Sequence, residues 1–379
     1  MTAPGPSRVP VGKLAFVEFT SPDPVGLGRV FGKLGMTAIG RHRRLDATLH
    51  RQGEINFVVN ADPASYAVEF GRRHGPSIAG LAIPVDDPAE VRGLAMDRGA
   101  RAFPGGAAPL LGGELTLGVG ESLLYLVPRA EPELPFRDFV PLPGVDQRPE
   151  GFGFRHIDHV THCVPVPEMK YWVDFYRTIF GFSIVFEFEA KGKASGFHTQ
   201  AVRDDDMNVC VTILEPTSPE SQIQEFMDEY NGSGVQHVAI ASEDLYGSVE
   251  RMTKAGIELM PTPGSYYDMV DARLPGHGER LEDLRRLNIL IDGSTARHSA
   301  LGTRHSAGAS ALGSGVGDDS EAQPRLLLQV FTRKMVGPIF FEAIQRKGNY
   351  SFGEGNAQAL FDAIEREQIA RGTVRVDPS

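Results

Sequence analysis

Residues 157–185 read IDHVTHCVPVPEMKYWVDFYRTIFGFSIV. The order is a strand, a Pro-punctuated turn, an amphipathic helix, a Phe-Gly-Phe stop and a second strand. The same order occurs at 14–38, LAFVEFTSPDPVGLGRVFGKLGMTA, with Leu-Gly-Met at the matching stop. A second pair of segments follows. SIAGLAIPVDDPAEVRGLAMDRGARAF (77–103) aligns with GVQHVAIASEDLYGSVERMTKAGIELM (234–260). Each is a strand, an acidic helix start at Asp86 or Glu243, a helix, and a Gly before another strand. Those two acids are expected to cap their helices and complement the helix dipole. The unit is therefore βαβββ, used four times as two pairs. The expected fold class is α+β. Two domains each close an open, curved, antiparallel-rich barrel with helices outside, and the concave face can aim several side chains at one point. The first domain is expected over 1–145 and the second over 151–379. Segment 130–152, rich in Pro and acid, is the linker.

The remaining composition narrows the function. A net charge of −11 without a Lys/Arg run argues against nucleic acid or an anionic membrane surface as partner. No apolar run approaches the ~20 residues a membrane span needs. The two cysteines, Cys163 and Cys210, make no disulfide framework and read as small buried side chains in a reducing compartment. The N-terminus, MTAPGPSRVP, lacks the basic-then-apolar pattern of a signal peptide, so the expected location is cytoplasmic.

The stretch RLLLQVFTRKMVGPIFFEAIQR (325–346) reads as two apolar strands joined by a turn at 334–338, with one carboxylate, Glu342, in the second strand. A carboxylate there must be paired, protonated or metal-bound, because burying it bare costs several kcal/mol or more. His159 in HIDHVTHCV and His237 in GVQHVAIAS each interrupt a strand in the same way. Two histidines and a carboxylate on three strands suit a facial triad for non-haem Fe(II), with three coordination positions open. The repeat is an internal control. His159 aligns with Phe16, His237 with Gly80, and SLLYLV (122–127) holds no carboxylate. The metal site is thus expected in the second domain alone. The first is a scaffold or a surface for self-association, which makes a homo-oligomer the expectation. His162 is read as a surface or outer-layer residue and His156 as part of the linker. Residues 294–323, rich in Gly, Ala and Ser, read as a flexible insertion, with His298 and His305 as solvated loop residues. The tail is expected to form a lid helix over 353–372, with Asn356 as N-cap and an apolar stripe of Leu360, Phe361 and Ile364. Glycines at 348, 353 and 355 would free it to move.

HIDHV, GVQHVAI, LLLQVFT, GPIFFEAIQRKG and FGEGN resemble the family of 4-hydroxyphenylpyruvate dioxygenase and its relative 4-hydroxymandelate synthase. The resemblance extends over nearly the whole chain, including RQGEINFVVN (51–60) and HGPSIAG in the first domain. It implies the vicinal-oxygen-chelate fold and a catalytic Fe(II) held by His159, His237 and Glu342. The implied partner is a small aromatic 2-oxoacid, chelating through its carboxylate and keto oxygen, with O2 as co-substrate. The resemblance also implies substrate-pocket roles for Gln222, Gln236, Gln329, Phe331 and Thr199, and lid roles for Phe352, Asn356 and Ala357.

The chain departs from the dioxygenase pattern inside that pocket. Thr212 stands where the dioxygenase has Pro, Leu214 where it has Asn, Thr199 where the family has Ser, and Ala357 where a Phe closes the lid. A Thr at 212 and the missing lid ring are similar to the synthase. The leading expectation is conversion of 4-hydroxyphenylpyruvate to homogentisate in tyrosine breakdown. The alternatives are 4-hydroxymandelate synthesis, oxidation of another aryl 2-oxoacid, an isomerase or extradiol dioxygenase of the same superfold, and a non-catalytic ligand-binding protein on that fold.

Overall fold

The structure is a computed structural model and describes residues 8–191, 196–295 and 323–359. Most of the 294–323 insertion, with His298 and His305, lies outside the described residues. So does the tail from 360 onward, including Leu360, Phe361 and Ile364. Contacts group the chain into two compact units. One runs to Leu259 and includes Phe331–Ala343; the other comprises Met260–Val330 and the chain from Ile344 on.

The first unit contains the first half of the repeat and most of the second. Its first copy is β1 (Phe16–Thr20), α1 (Pro24–Lys33), β2 (Thr37–His42), β3 (Ala47–Gln52) and β4 (Ile55–Asn60). Helix α2 (Tyr66–His74) leads to the second copy: β5 (Ser77–Val85), α3 (Pro88–Asp97), β6 (Arg101–Ala102), β7 (Leu115–Leu117) and β8 (Leu123–Pro128). With β9 (Phe139–Pro141) these strands form one sheet, ordered β6-β7-β8-β5-β1-β4-β3-β2-β9. The third copy is β10 (Phe154–Cys163), α4 (Glu168–Phe180), β11 (Ser183–Lys191), β12 (Gly196–Arg203) and β13 (Cys210–Pro216). Helix α5 (Gln222–Tyr230) leads to β14 (Gly234–Ser242) and α6 (Leu245–Lys254). In chain order the fourth copy ends with β15 (Leu290–Ser294), β16 (Arg325–Phe331) and β17 (Phe340–Lys347). Within the first unit the second sheet runs β11-β12-β13-β10-β14-β17.

The four-fold βαβββ reading therefore holds. The sheets are mixed: β1–β4, β5–β8 and β10–β13 pair parallel, while β1–β5 and β10–β14 pair antiparallel at the centres. The central registers match as the repeat required. Phe16 faces Ala82 and Glu18 faces Gly80 in one; His159 faces Ala239 and Thr161 faces His237 in the other.

Helix α4 shows how the pattern becomes packing. Trp172, Phe175, Tyr176, Ile179 and Phe180 recur at helical spacing and are all buried. Each contributes about 1.5–3 kcal/mol of apolar burial. The helix stops at Gly181, whose φ of 74° is the left-handed conformation that glycine adopts most readily. The caps of α3 and α6 fall one residue later than expected. Asp87 accepts from the N–H of Ala89 and Glu90, and Asp244 from Gly247. Asp86 instead accepts from Arg129 Nε at 2.8 Å. His156 lies within β10, not in the linker. No described helix is long and apolar enough to cross a membrane.

The second unit carries α7 (Gly264–Asp268), α8 (Val270–Arg273), α9 (Leu281–Arg286), the antiparallel pairing of β15 with β16, and helical residues 354–359.

Candidate metal centre

Strands β10, β14 and β17 bring His159, His237 and Glu342 together in the first unit. All three are buried, and one donor atom from each lies within 4.8 Å of the others. Glu342 Oε2 is 3.3 Å from His159 Nε2 and 3.6 Å from His237 Nε2. Adjacent donors on an octahedral ion with ~2.1 Å bonds stand about 3 Å apart. Both distances to Glu342 are close to that spacing. The far edges of the rings are also engaged. His159 Nδ1 meets Asp158 Oδ1 at 2.9 Å, and His237 Nδ1 meets Gln236 Oε1 at 3.1 Å. A carboxylate and an amide carbonyl only accept, so each Nδ1 is the donor and Nε2 is the nitrogen each ring turns toward Glu342.

The electrostatics point the same way. Burial disfavours charge on His159, but Glu342 and Asp158 outweigh it and push the imidazole up to about 9. His237 is held well below the usual range, first by burial and then by His159 and His162. Without a metal, these shifts favour a proton on His159 beside the buried carboxylate. A divalent cation would supply the positive charge in the proton's place.

Around the triad, Phe340 stacks on His237 with centroids 4.8 Å apart at 22°, and Phe331 meets its edge at 6.3 Å. Across the neighbouring strands Thr161 is in register with His237 and with Thr212, and Thr199 with Leu214. The hydroxyls of Thr161, Thr199 and Thr212 are buried with no hydrogen-bond partner among the described residues. Leu214 is buried beside them in sequence. Gln222, the first residue of α5, is exposed. His162 is fully buried rather than on the surface, and burial pushes it down to about 3.

The remaining expected pocket and lid residues lie in the second unit. Gln329 Oε1 accepts from Asn356 Nδ2 at 2.7 Å, and Asn356 Oδ1 accepts from Tyr266 O–H at 2.7 Å. Asn356 is therefore not an N-cap: it sits within helical residues 354–359 and its side chain is committed inward. Backbone hydrogen bonds fasten the start of this segment. Asp292 Oδ2 accepts from the N–H of Gly355 at 2.8 Å, and Ala357 N–H bonds Gly353 O. A Cβ at 353 or 355 would stand 2.3 Å from Gln329 Oε1 or Asp292 Oδ1, so those side chains would have to give way, and Gly353 also holds a left-handed φ of 78°. Phe352 lies under the Arg346 guanidinium at 5.6 Å, and Ala357 is half-buried.

The first half of the repeat fills the equivalent place with a different chemistry. Glu18 there is wholly buried and accepts from Asn60 Nδ2 at 2.8 Å and from Tyr125 O–H at 2.7 Å. Tyr125 is the third residue of β8, as Glu342 is the third of β17. A Cβ at Gly80 would lie 2.8 Å from the Tyr125 ring and 3.0 Å from Glu18 Oε2, so no histidine fits opposite.

Two neighbours of the triad escaped the reading of the sequence. Asp158 adjoins His159, and adjacent strand residues normally face opposite ways. A register shift between Ile157 and His159 is what lets Asp158 reach the ring. Phe340 was legible, since it is two residues from Glu342 on one strand and so shares its face.

Comparison with known proteins agrees with this architecture. The family model described as "Hydroxyphenylpyruvate dioxygenase, HPPD, N-terminal" matches residues 8–139. That of the "Glyoxalase/Bleomycin resistance protein/Dioxygenase superfamily" matches 156–269. The chain is 39% identical over 369 residues to hemolysin VllY of Vibrio vulnificus, spanning 95% of each. It is 38% identical over 367 residues to 4-hydroxyphenylpyruvate dioxygenase of Pseudomonas aeruginosa, again spanning 95% of each. Among solved structures, a triple variant of 4-hydroxymandelate synthase from Streptomyces coelicolor is similar, with a TM-score of 0.73 and 28% identity. That match covers 95% of this chain and 100% of the other.

Proposed function

The chain belongs to the hydroxyphenylpyruvate dioxygenase family, and on that premise we propose that it oxidises 4-hydroxyphenylpyruvate with O2 to homogentisate and CO2. The proposed centre is one Fe(II) held by His159, His237 and Glu342. The supporting observation is that both buried imidazoles turn Nε2 toward one oxygen of Glu342 while Asp158 and Gln236 hold their Nδ1 protons. When bound, Fe(II) in such a donor set supplies open positions for a chelating 2-oxoacid and for dioxygen.

The chain's own residues prepare the site in three ways. Asp158 and Gln236 fix tautomer and ring orientation, which keeps the nitrogens basic toward a cation. Phe340 and Phe331 line the His237 side with apolar surface. The unpartnered hydroxyls of Thr161, Thr199 and Thr212 can receive polar atoms of a substrate, which offsets what their burial costs. These threonines add no charge.

A second reading, 4-hydroxymandelate as product, is favoured by Thr212, Leu214 and Ala357, where the pocket departs from the dioxygenase pattern. Both products contain the same atoms, so the choice lies in which carbon of the substrate is hydroxylated. The class is tested by protein loaded anaerobically with Fe(II), given 4-hydroxyphenylpyruvate and then oxygen. Oxygen uptake matched one-to-one by CO2 release is expected. Ligand binding without oxygen uptake would instead support a non-catalytic binding protein.

A further inference from the structure

The half of the repeat that holds no ligand packs a cluster of buried rings against β17. Phe341 precedes Glu342 on β17, so its side chain leaves the opposite face of the strand. That ring stacks on Phe57 of β4, centroids 5.8 Å apart at 30°, and lies 6.4 Å from Phe19 of β1. Phe19 and Phe57 are 4.9 Å apart, and Phe31 of α1 closes the group at 4.9 Å from Phe19 and 5.1 Å from Phe57. All four rings are at most 1% exposed. The turn before β17 is held on the same side, since a Cβ on Gly337 would stand 3.0 Å from Pro76 O. A strand fixed at its turn and by a buried ring cannot slide without carrying Glu342 with it, because close-packed interiors have no slack to absorb the shift.

We propose that Phe341, seated among Phe19, Phe31 and Phe57, is a positioning residue. It sets the depth at which Glu342 stands against His159 and His237, so the ligand-free half of the chain acts on the metal centre through this ring. The proposal rests on the triad being a metal site, and the test separates the two ideas.

Co(II) is titrated anaerobically into the full chain, and its absorption spectrum and dissociation constant are recorded. The proteins are wild type, Phe57→Leu and Phe341→Leu. Phe16→Leu is the control: Phe16 lies on β1 like Phe19, yet packs on Tyr125 and Phe136, away from β17. Wild type is expected to bind one Co(II) per chain. Phe57→Leu and Phe341→Leu should bind it about tenfold more weakly or worse, with a changed spectrum, as when the outer support of a metal ligand is removed. Phe16→Leu should lose thermal stability but keep wild-type affinity. If Phe341→Leu does not fold, Phe57→Leu decides. If that too fails, Phe57→Met, which retains most of the buried volume, replaces it. Wild-type affinity and spectrum in a folded Phe57 variant would overturn the proposal while leaving the metal site intact. No Co(II) uptake by wild type would instead overturn the metal site, and the proposal with it.

Discussion

Replacing Tyr125 by Phe tests the polar cluster that fills the first half of the repeat. The Tyr125 hydroxyl donates to Glu18 Oε2 at 2.7 Å and accepts from the N–H of Leu110 at 3.0 Å, all out of water. Losing a hydrogen bond to an acidic group costs about 1.5–3 kcal/mol, and orphaning a buried N–H about 1–3 kcal/mol. The variant should therefore be less stable by about 2.5–6 kcal/mol, a large part of the ~5–15 kcal/mol that holds most proteins folded. Urea unfolding followed by circular dichroism measures this from the midpoint at unchanged slope. The loss should also depend on pH. Burial raises the Glu18 carboxyl, and Asn60 and Tyr125 pull it partly back. A carboxyl raised in the folded state keeps its proton after the unfolded chain has released one. Its contribution is fully present below the unfolded value and is lost as pH rises through the folded one. Removing the Tyr125 hydroxyl raises the folded value further, so the deficit should grow from pH 4 toward neutrality. A loss below about 1 kcal/mol, or one independent of pH, would refute the account of Glu18 as a buried acid held by its two donors.

Three further outcomes are expected. In the metal-loaded protein, Glu342→Gln should abolish the thermal stabilisation by Co(II). At a free concentration of 100 times the dissociation constant, that stabilisation is about 2.7 kcal/mol in wild type, and an equal shift in the variant would remove Glu342 from the ligand set. His50 is pushed down to about 4, chiefly by burial. The unfolded chain therefore takes up a proton that the folded one refuses, and stability should fall as pH drops from ~6.5 toward 4, by up to roughly 1.4 kcal/mol per pH unit. His50→Leu should flatten that slope in urea midpoints measured across the range; an unchanged slope would count against it. Asn356→Ala removes the bonds to Gln329 and Tyr266. It should raise amide exchange over residues 354–359 about fivefold or more, for a local loss of about 1–3 kcal/mol, whereas wild-type protection would show that these bonds do not fasten the segment.

Much of the fold was legible because period and punctuation agree along the chain. The four βαβββ copies, the alignment of His159 with Phe16 and of His237 with Gly80, and the triad itself all follow from strand alternation and spacing. What escaped depends on contacts that a one-dimensional pattern does not carry. The bulge that turns Asp158 onto His159 is a local break in alternation. The inward commitment of Asn356 is decided by Tyr266 and Gln329, far away in sequence. Helix caps slipped by one residue at Asp87 and Asp244 because adjacent acids offer equivalent local signals. His162 looked peripheral by alternation counted from His159, yet a register shift between Thr161 and His162 accompanies its burial.

The most direct test of the proposed chemistry is the identity of the product. Protein reconstituted anaerobically with Fe(II) is given 4-hydroxyphenylpyruvate and then oxygen, and the product is separated and identified by NMR, since the two candidates have equal mass. Homogentisate is the predicted result, and it would make Thr212, Leu214 and Ala357 tolerated changes within the dioxygenase pocket. 4-Hydroxymandelate would contradict the proposal and make those three residues candidates for the switch in the position of hydroxylation.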